Sequence, residues 1–368
     1  MRIFIVLILL IFFLRCNLKT KDIYDHLVIP ANKCLVTDNI QLPFNTDSVH
    51  TIKYFHNKNS SGDYLFLKSS GNNIYFLNLH SKKLTLIPFP TKIDIIDFAI
   101  HSIDSIYLLT EDIIYLIDNK GHLINTIEIP SIKGYHFFAS SLFPFYIIDS
   151  LAFFYKYPEG IINSLDKYHE FINSDREVCY DIKRQQFIDL KNKIHYPKEL
   201  KYHFKYVFNP CRIIDDKMNL IYSFEHSDTV ILLNYTSQNI QTFSIKSKFF
   251  ENNNDFDFEK INNFSEIARY LIQNSRYYSI LYDPYRELYY RIHLCKYTYY
   301  NKDNSINLRT DVPWSILVCN KEFKVIKEIL FEPRTYYFNH IIITKDGLLI
   351  KKQSYANTYS LFNAFTTL

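Results

Sequence analysis

A chain of 368 residues, 48% hydrophobic and 17% aromatic, is too apolar for disorder and long enough for one large domain. Its formal net charge of +4 comes without a basic stripe or a run of five like charges, which excludes a nucleic-acid footprint. Tyr and Phe at 31 each, against 6 Gly, favour half-buried pleated surfaces and therefore β structure.

The chain begins "MRIFIVLILLIFFLRC". Arg2 is a charged start, and Ile3 to Leu14 is an unbroken apolar run of twelve. That run is shorter than the about 20 residues needed to cross a bilayer core and suits the apolar segment of a secretory signal. Cys16 follows at once, in the manner of a bacterial lipoprotein signal whose cysteine becomes the lipidated first residue. Arg15 departs from that pattern, which normally has a small residue before the cysteine, so a plain signal or anchor is the alternative. The expectation is a signal peptide over 1–15, a tether over 16–33 and a folded domain over 34–368. The mature chain would then sit in the bacterial cell envelope as an outer-membrane lipoprotein, facing the periplasm or exposed at the surface.

After the tether the sequence becomes a series of short strands. "DYLFLKSSGNNIYFLNLHSKKLTLIPFP" (Asp63 to Pro90) and "IDFAIHSIDSIYLLTEDIIYLIDNKGHLINTIEIP" (Ile96 to Pro130) share one grammar of strand, turn, strand, turn and alternating strand. Further units lie in "FYIIDSLAFFYKY…REVCYDIKRQQFIDL", in Cys211 to Ser247, in Ser279 to Pro333 and from Asn339 onward. Short strands recurring about every 40 residues predict a propeller or a large sandwich. The turns "DNKGHL", "CNKEFK" and "NYTSQN" fall at the same place in their units, which favours the propeller. The last unit runs one strand short, and "CLVTDNIQLPF" (Cys34 to Phe44) has no unit of its own. Pairing the two closes a ring, so the predicted fold is an all-β, six-bladed β-propeller.

One stretch breaks the rhythm. Phe258, Ile261, Phe264, Ile267 and Leu271 fall at helical spacing, predicting an amphipathic helix near 255–274 with Asp255 or Asp257 at its start. "NSLDKYHEFINSDRE" is a second, shorter helix or an irregular loop. Both read as insertions on one face of the ring.

"ILYDPYRELYYRIHL", "WSILVCNKEFKVIKEI" and "IIITKDGLLI", together with the start of the chain, resemble the uncharacterised six-bladed β-propeller lipoproteins of Bacteroidetes, a domain-of-unknown-function family. The resemblance covers most of residues 34–368. It implies fold and location and brings no activity.

Chemistry is sparse. There is no GxSxG elbow, HExxH, phosphate-cradling loop or EF-hand pattern, and no pair of cysteines has metal or redox spacing, so no cofactor is expected. Most of the five cysteines after Cys16 sit among apolar neighbours and read as buried thiols. Asp63, Asp97, Asp149, Asp215, Asp283 and Asp346 lie near first hairpins; they are turn residues or ligands of a metal in a central channel. The densest feature, Arg276 to Tyr300, holds nine tyrosines and three arginines. Its alternatives are two aromatic strands of a blade or a ligand surface built on Tyr282, Arg286 and Tyr290. Trp314, the only tryptophan, reads as a packing anchor. The leading expectation is a lipid-anchored, non-catalytic binding or scaffold propeller for a protein, peptide or glycan. The rival is a metal-dependent hydrolase with its site in the channel.

Overall fold

The structure, a computed structural model, describes residues 26–362 apart from 35, 44–48, 58–61, 70–72, 90–92, 161–163, 198–199, 201–209, 252–253 and 355–356. Cys16 and the expected signal peptide over 1–15 lie outside the described residues.

Two strands, β1 (Leu27–Pro30) and β2 (Val36–Gln41), precede six small sheets that follow one another along the chain. Blade 1 is β3 (Val49–Asn57), β4 (Gly62–Ser69), β5 (Ile74–Asn78) and β6 (Leu84–Ile87). Blade 2 is β7 (Asp97–Ser102), β8 (Ser105–Leu109), β9 (Ile113–Ile117) and β10 (Leu123–Glu128). Blade 3 is β11 (Tyr135–Phe138), β12 (Tyr146–Ile148), β13 (Leu151–Pro158), β14 (Glu177–Asp181) and β15 (Gln186–Ile188), with β11 and β12 both paired to β13. Blade 4 is β16 (Cys211–Ile214), β17 (Asn219–Ser223), β18 (Thr229–Asn234) and β19 (Ile240–Ser244). Blade 5 is β20 (Arg276–Asp283), β21 (Leu288–Leu294), β22 (Trp314–Cys319) and β23 (Val325–Phe331). Blade 6 is β24 (Tyr336–Thr344), β25 (Gly347–Lys352) and β26 (Thr358–Phe362). The first strands touch from blade to blade around an axis, as in β24 with β3 and β3 with β7. The chain is a six-bladed β-propeller.

The ring closes as the sequence predicts. β2 pairs antiparallel with β26, from Val36 opposite Phe362 to Gln41 opposite Thr358, and supplies the strand that blade 6 lacks. Closure leaves no open edge at the seam. The expected tether over 16–33 is corrected at its distal end. β1 adds to blade 5 in parallel with β23, Leu27 opposite Lys327 through Pro30 opposite Leu330, and a 3-10 turn over Ala31–Lys33 follows. His26 is buried there, its Nε2 at 2.8 Å from Glu328 Oε2.

The repeated grammar has a shared physical cause in the turn between third and fourth strands. A short polar side chain at its head accepts backbone N–H groups ahead of it: Asn78 from His80 and Ser81, Asp118 from Lys120 and His122, Asn320 from Glu322 and Lys324. Each turn then passes through a left-handed residue, Lys82, Gly121 or Phe323. At Gly121 a Cβ would stand 1.5 Å from the Pro88 carbonyl oxygen, so glycine is required at that slot. The first repeat starts earlier than the sequence suggests: β3 is the innermost strand of blade 1, and Asp63 belongs to the second strand. β3 escapes a reading by alternation because almost all of it is half-buried along the channel rather than buried on one face.

Antiparallel order sends the connections after second and fourth strands to one face of the ring, here called the insertion face. α1 (Leu165–Asn173), between β13 and β14, begins at Ser164, whose Oγ accepts from Lys167 N. α2 (Phe264–Gln273), between β19 and β20, begins at Asn263, which accepts from Ser265 N and Glu266 N. The expected helix near 255–274 is therefore shorter. Asp257 caps only a 3-10 turn over Phe258–Lys260, and the chain breaks before α2. Ile267, Tyr270, Leu271 and Ile272 are buried, whereas Phe264 is 86% exposed. The segment 295–313, between β21 and β22, reaches the same face.

Candidate functional site

The six innermost strands enclose a central channel with a cavity of about 600 Å³. Every blade contributes to its wall: Ile52 and Tyr54 from β3, Ala99 and Ile100 from β7, Ile147 from β12, Ile213 and Ile214 from β16, Leu281 and Tyr282 from β20, Ile341 to Ile343 from β24. The middle of the wall is aliphatic. Towards the face opposite the insertions, Tyr54, Tyr282 and Tyr285 surround the opening, and the Tyr54 and Tyr285 rings meet edge to face at 6.0 Å. At the insertion face the wall turns polar, with His50, Ser140, Ser141, Asn339 and His340. Among the described residues that form it, none is Asp or Glu.

Polarity at the opposite mouth is held from behind. Tyr54 Oη donates to Asp63 at 2.5 Å, and Asp63 also accepts from Lys345 Nζ at 2.8 Å and bonds His56 Nδ1 at 2.8 Å. Burial and the Asp63 carboxylate push the Tyr54 hydroxyl well above the ordinary tyrosine range. Asp63 itself is held below the usual carboxylate range: hydrogen bonds from Lys345, Tyr54 and His56 together outweigh its burial. The tyrosines therefore remain neutral donors at any physiological pH.

One charge reaches the wall and is already spent. Lys53 Nζ lies 3.0 Å from Asp97 Oδ2 and donates to the carbonyls of Phe98 and Phe145, joining blades 1, 2 and 3. Burial lowers the Lys53 pKa, with Asp97 opposing. Nearby, Arg212 binds Glu177 through Nε at 3.0 Å and Nη2 at 2.8 Å, and Tyr222 donates to the same carboxylate, joining blades 3 and 4. These buried pairs fix neighbouring blades.

The expected ligand surface divides. Tyr282 lines the channel. Tyr290 is fully buried between blades 5 and 6 and donates to Asp283 Oδ2 at 2.8 Å. Arg286 donates to Asp283 Oδ2 at 2.6 Å and to the carbonyls of Thr344 and Lys345 at 2.8 and 3.0 Å, tying the blade 5 hairpin to that of blade 6. Arg286 and Tyr290 are thus corrected to structural roles, since their polar atoms are consumed by Asp283 and the neighbouring turn. Tyr54, Tyr285 and the aliphatic wall were missed. Tyr54 and most of the aliphatic wall belong to first strands, which could be recognised only once the first strand of blade 1 was placed, and Tyr285 lies in the turn that follows β20.

The six aspartates do not converge on the axis. Asp215 accepts from Lys217 N, Asn219 N, Asn219 Nδ2 and Tyr289 Oη; Asp283 accepts from Tyr285 N and Arg286 N. Asp97 accepts from Phe145 N, Asp149 sits in a turn with φ of 54°, and Asp346 N donates to Thr344 Oγ1. None belongs to the channel wall, and no group of three His, Cys, Asp or Glu able to hold a metal occurs among the described residues. The five described cysteines are free thiols, and Cys34, Cys179, Cys211 and Cys319 are buried.

No family model matches the sequence. No curated protein matches it. Among solved structures, the chain is similar to a member of the DUF4221 family from Bacteroides vulgatus, with a TM-score of 0.73 at 16% identity, over 90% of this chain and 97% of that one. It is also similar to a putative exported protein from Bacteroides fragilis, with a TM-score of 0.51 at 11% identity, over 88% of this chain and 87% of the other. At these identities the likeness is one of fold.

Proposed function

We propose that the protein is a non-catalytic binding propeller of the bacterial cell envelope, anchored through lipid on Cys16, whose central channel receives the apolar or aromatic part of a protein, peptide or glycan ligand. The observation that carries this reading is the composition of the channel. A cavity of about 600 Å³, walled by aliphatic residues with tyrosines at one mouth, suits burial of an apolar group with hydroxyls to orient it. A metal-dependent hydrolase needs converging carboxylates, and the described residues of the wall include none. The sequence start and the likeness in fold to an exported Bacteroides protein support the envelope location.

Native mass spectrometry of protein purified from envelopes tests the reading. A co-purifying mass on the wild type, lost in Tyr282→Ala and Tyr285→Ala variants of unchanged melting temperature, is the expected result. One tightly held divalent ion per chain on metal analysis would overturn it in favour of the hydrolase.

A further inference from the structure

At the channel mouth opposite the insertions, the Tyr54 hydroxyl turns its proton away from the opening. Tyr54 Oη commits its hydrogen to Asp63 at 2.5 Å and receives Lys345 N at 3.5 Å. A phenol whose proton is held from behind offers a ligand its oxygen lone pair and its ring. The Tyr54 and Tyr285 rings stand at 77° to each other with centroids 6.0 Å apart, forming a corner, and Tyr285 is 39% exposed. Tyr282 completes the rim, backed by Tyr289 at 5.1 Å between ring centroids.

The surroundings of these rings are acidic, although the chain carries a formal net charge of +4. The hairpins that join first to second strands gather around this mouth. In blades 2 to 6 they hold Asp104, Asp149, Asp215, Asp216, Glu287 and Asp346, against Lys217, Arg286 and Lys345. Two of those three cations are matched by carboxylates outside that set, Arg286 by Asp283 and Lys345 by Asp63. The phenols register the excess. Burial, followed by Asp63 and Asp283, pushes the Tyr285 hydroxyl up to about 12, with Arg286 opposing. Burial, followed by Asp216, Asp215 and Glu287, raises Tyr282. Lys53, which reaches the wall, is engaged by Asp97 and two carbonyls.

Three ligand chemistries fare differently here. A neutral sugar would gain from ring stacking alone, and an anion would meet charge of its own sign. A cation gains from the aromatic rings, from the phenol oxygens and from the surrounding carboxylates. Behind the rim the wall is aliphatic, with Ile52, Ile213, Leu281 and Ile341, so the group at the mouth must carry hydrocarbon. We propose that this mouth is a site for an organic cation, in which Tyr54, Tyr282 and Tyr285 enclose an ammonium group and the apolar chain attached to it lies along the channel wall. This rests on the reading of the channel above and adds the sign of the ligand's charge. A small amphiphilic amine and the N-terminus of an apolar peptide share that chemistry.

Calorimetry on the full chain tests it with two pairs of probes. Octyltrimethylammonium against octanol represents the small amphiphile, and Leu-Leu-Leu-amide with a free N-terminus against its N-acetyl form represents the peptide end. In at least one pair the cation should bind at least tenfold more tightly than its neutral partner, and the pair that discriminates identifies the source. Octanoate should bind more weakly than octanol. Tyr285→Leu should bring the discriminating pair within threefold of each other, a change of ratio that a merely structural defect would not produce. Asp216→Asn, at an exposed turn position, should lower affinity for the cation two- to threefold and leave the neutral partner unchanged. Neutral probes that bind as tightly as the cations in both pairs overturn the cation site and leave the apolar channel standing. Octanoate binding as tightly as octyltrimethylammonium overturns it equally. Failure of every probe to bind overturns the cation site and the channel reading together.

Discussion

The two seams of blade 5 differ in how much polarity they bury. Towards blade 6, Tyr290, Ile292, Trp314, Ile316, Val318 and Ile329 meet Phe338, Leu348, Ile350 and Phe362 in an apolar layer, with Trp314 stacked on Phe331 at 3.9 Å. Towards blade 4, the same strands present Arg291, His293, Ser315 and Glu328, all fully buried, beside an apolar cluster in which Ile221, Val230 and Ile245 meet Tyr277, Ile280 and Leu317. Arg291 donates to Ser223 Oγ and to the carbonyls of Asp228, Ile245, Phe224 and Ser227. Glu328 accepts from Ser247, Ser315, Lys248 N and His26. Strand alternation places one set on each side, so one blade carries both solutions. The apolar seam depends on volume and shape. The polar seam depends on every partner being present, because a buried donor or acceptor left alone is costly.

The sharpest break of that comparison is Arg291→Met, which leaves five acceptors without their donor. We expect a loss of about 5 kcal/mol in urea unfolding. Arg291→Lys should cost nearly as much, since an ammonium cannot reproduce the guanidinium fork. Equality of Arg291→Lys with wild type would show that the seam does not depend on that geometry.

Trp314→Ala, on the apolar side, should cost about 4 kcal/mol by the cavity it opens. Trp314→Phe should cost much less, about 1.5 kcal/mol, because an apolar seam tolerates a smaller ring in place of a larger one. The contrast between the two conservative changes is the measurement that separates the seams.

Acid should weaken the polar seam alone. Burial, with Arg291 adding to it and Glu328 opposing, lowers the His293 pKa from 6.5 to about 3. The unfolded chain takes up a proton that the folded one refuses. Stability therefore falls as pH drops from about 6.5 towards 3, by about 1.4 kcal/mol per unit. Glu328 acts in the same direction at lower pH. Hydrogen bonds from His26, Ser247, Ser315 and Lys248 outweigh its burial and depress its pKa, so its contribution is lost as pH falls through the folded value. A His293→Asn variant should flatten the slope of unfolding free energy between pH 6 and 4.5.

A modest effect is expected from Glu328→Gln, about 1–2 kcal/mol, since the amide keeps the shape and an acceptor but turns a donor towards Lys248 N–H. Its local consequence should be clearer. Amide exchange at Val28 and Ile29 and in the partner strand β23 should accelerate, because His26 loses the carboxylate that holds the start of β1. Unchanged exchange there would show that the strand ladder alone retains β1.

How much of this was legible follows from the range of each signal. Asp118, Asn320 and Asn234 announce their turns because an Asx side chain bonds backbone a few residues ahead, an interaction contained within the repeat. The ring closure was legible as a bookkeeping of strands. The division among Tyr282, Arg286 and Tyr290 was not: all three lie in one aromatic stretch, and their roles depend on Asp283, Thr344 and Lys345, the last two on another blade. α2 was foreseen but overextended, because Phe264 keeps the helical period while serving as its exposed first residue.

The sequence by itself determined the all-β class, the repeat and the turn chemistry, which rest on local hydrogen bonding or on a period of two residues, and the pairing of β2 with β26, which follows from counting strands. Only the tertiary structure decided that the channel wall is aliphatic and tyrosine-lined, that the six aspartates are engaged away from that wall, and that β1 belongs to blade 5. Those facts depend on which side chains from six separate stretches face one axis or share one seam. That convergence is fixed by packing in space, which a linear pattern does not encode.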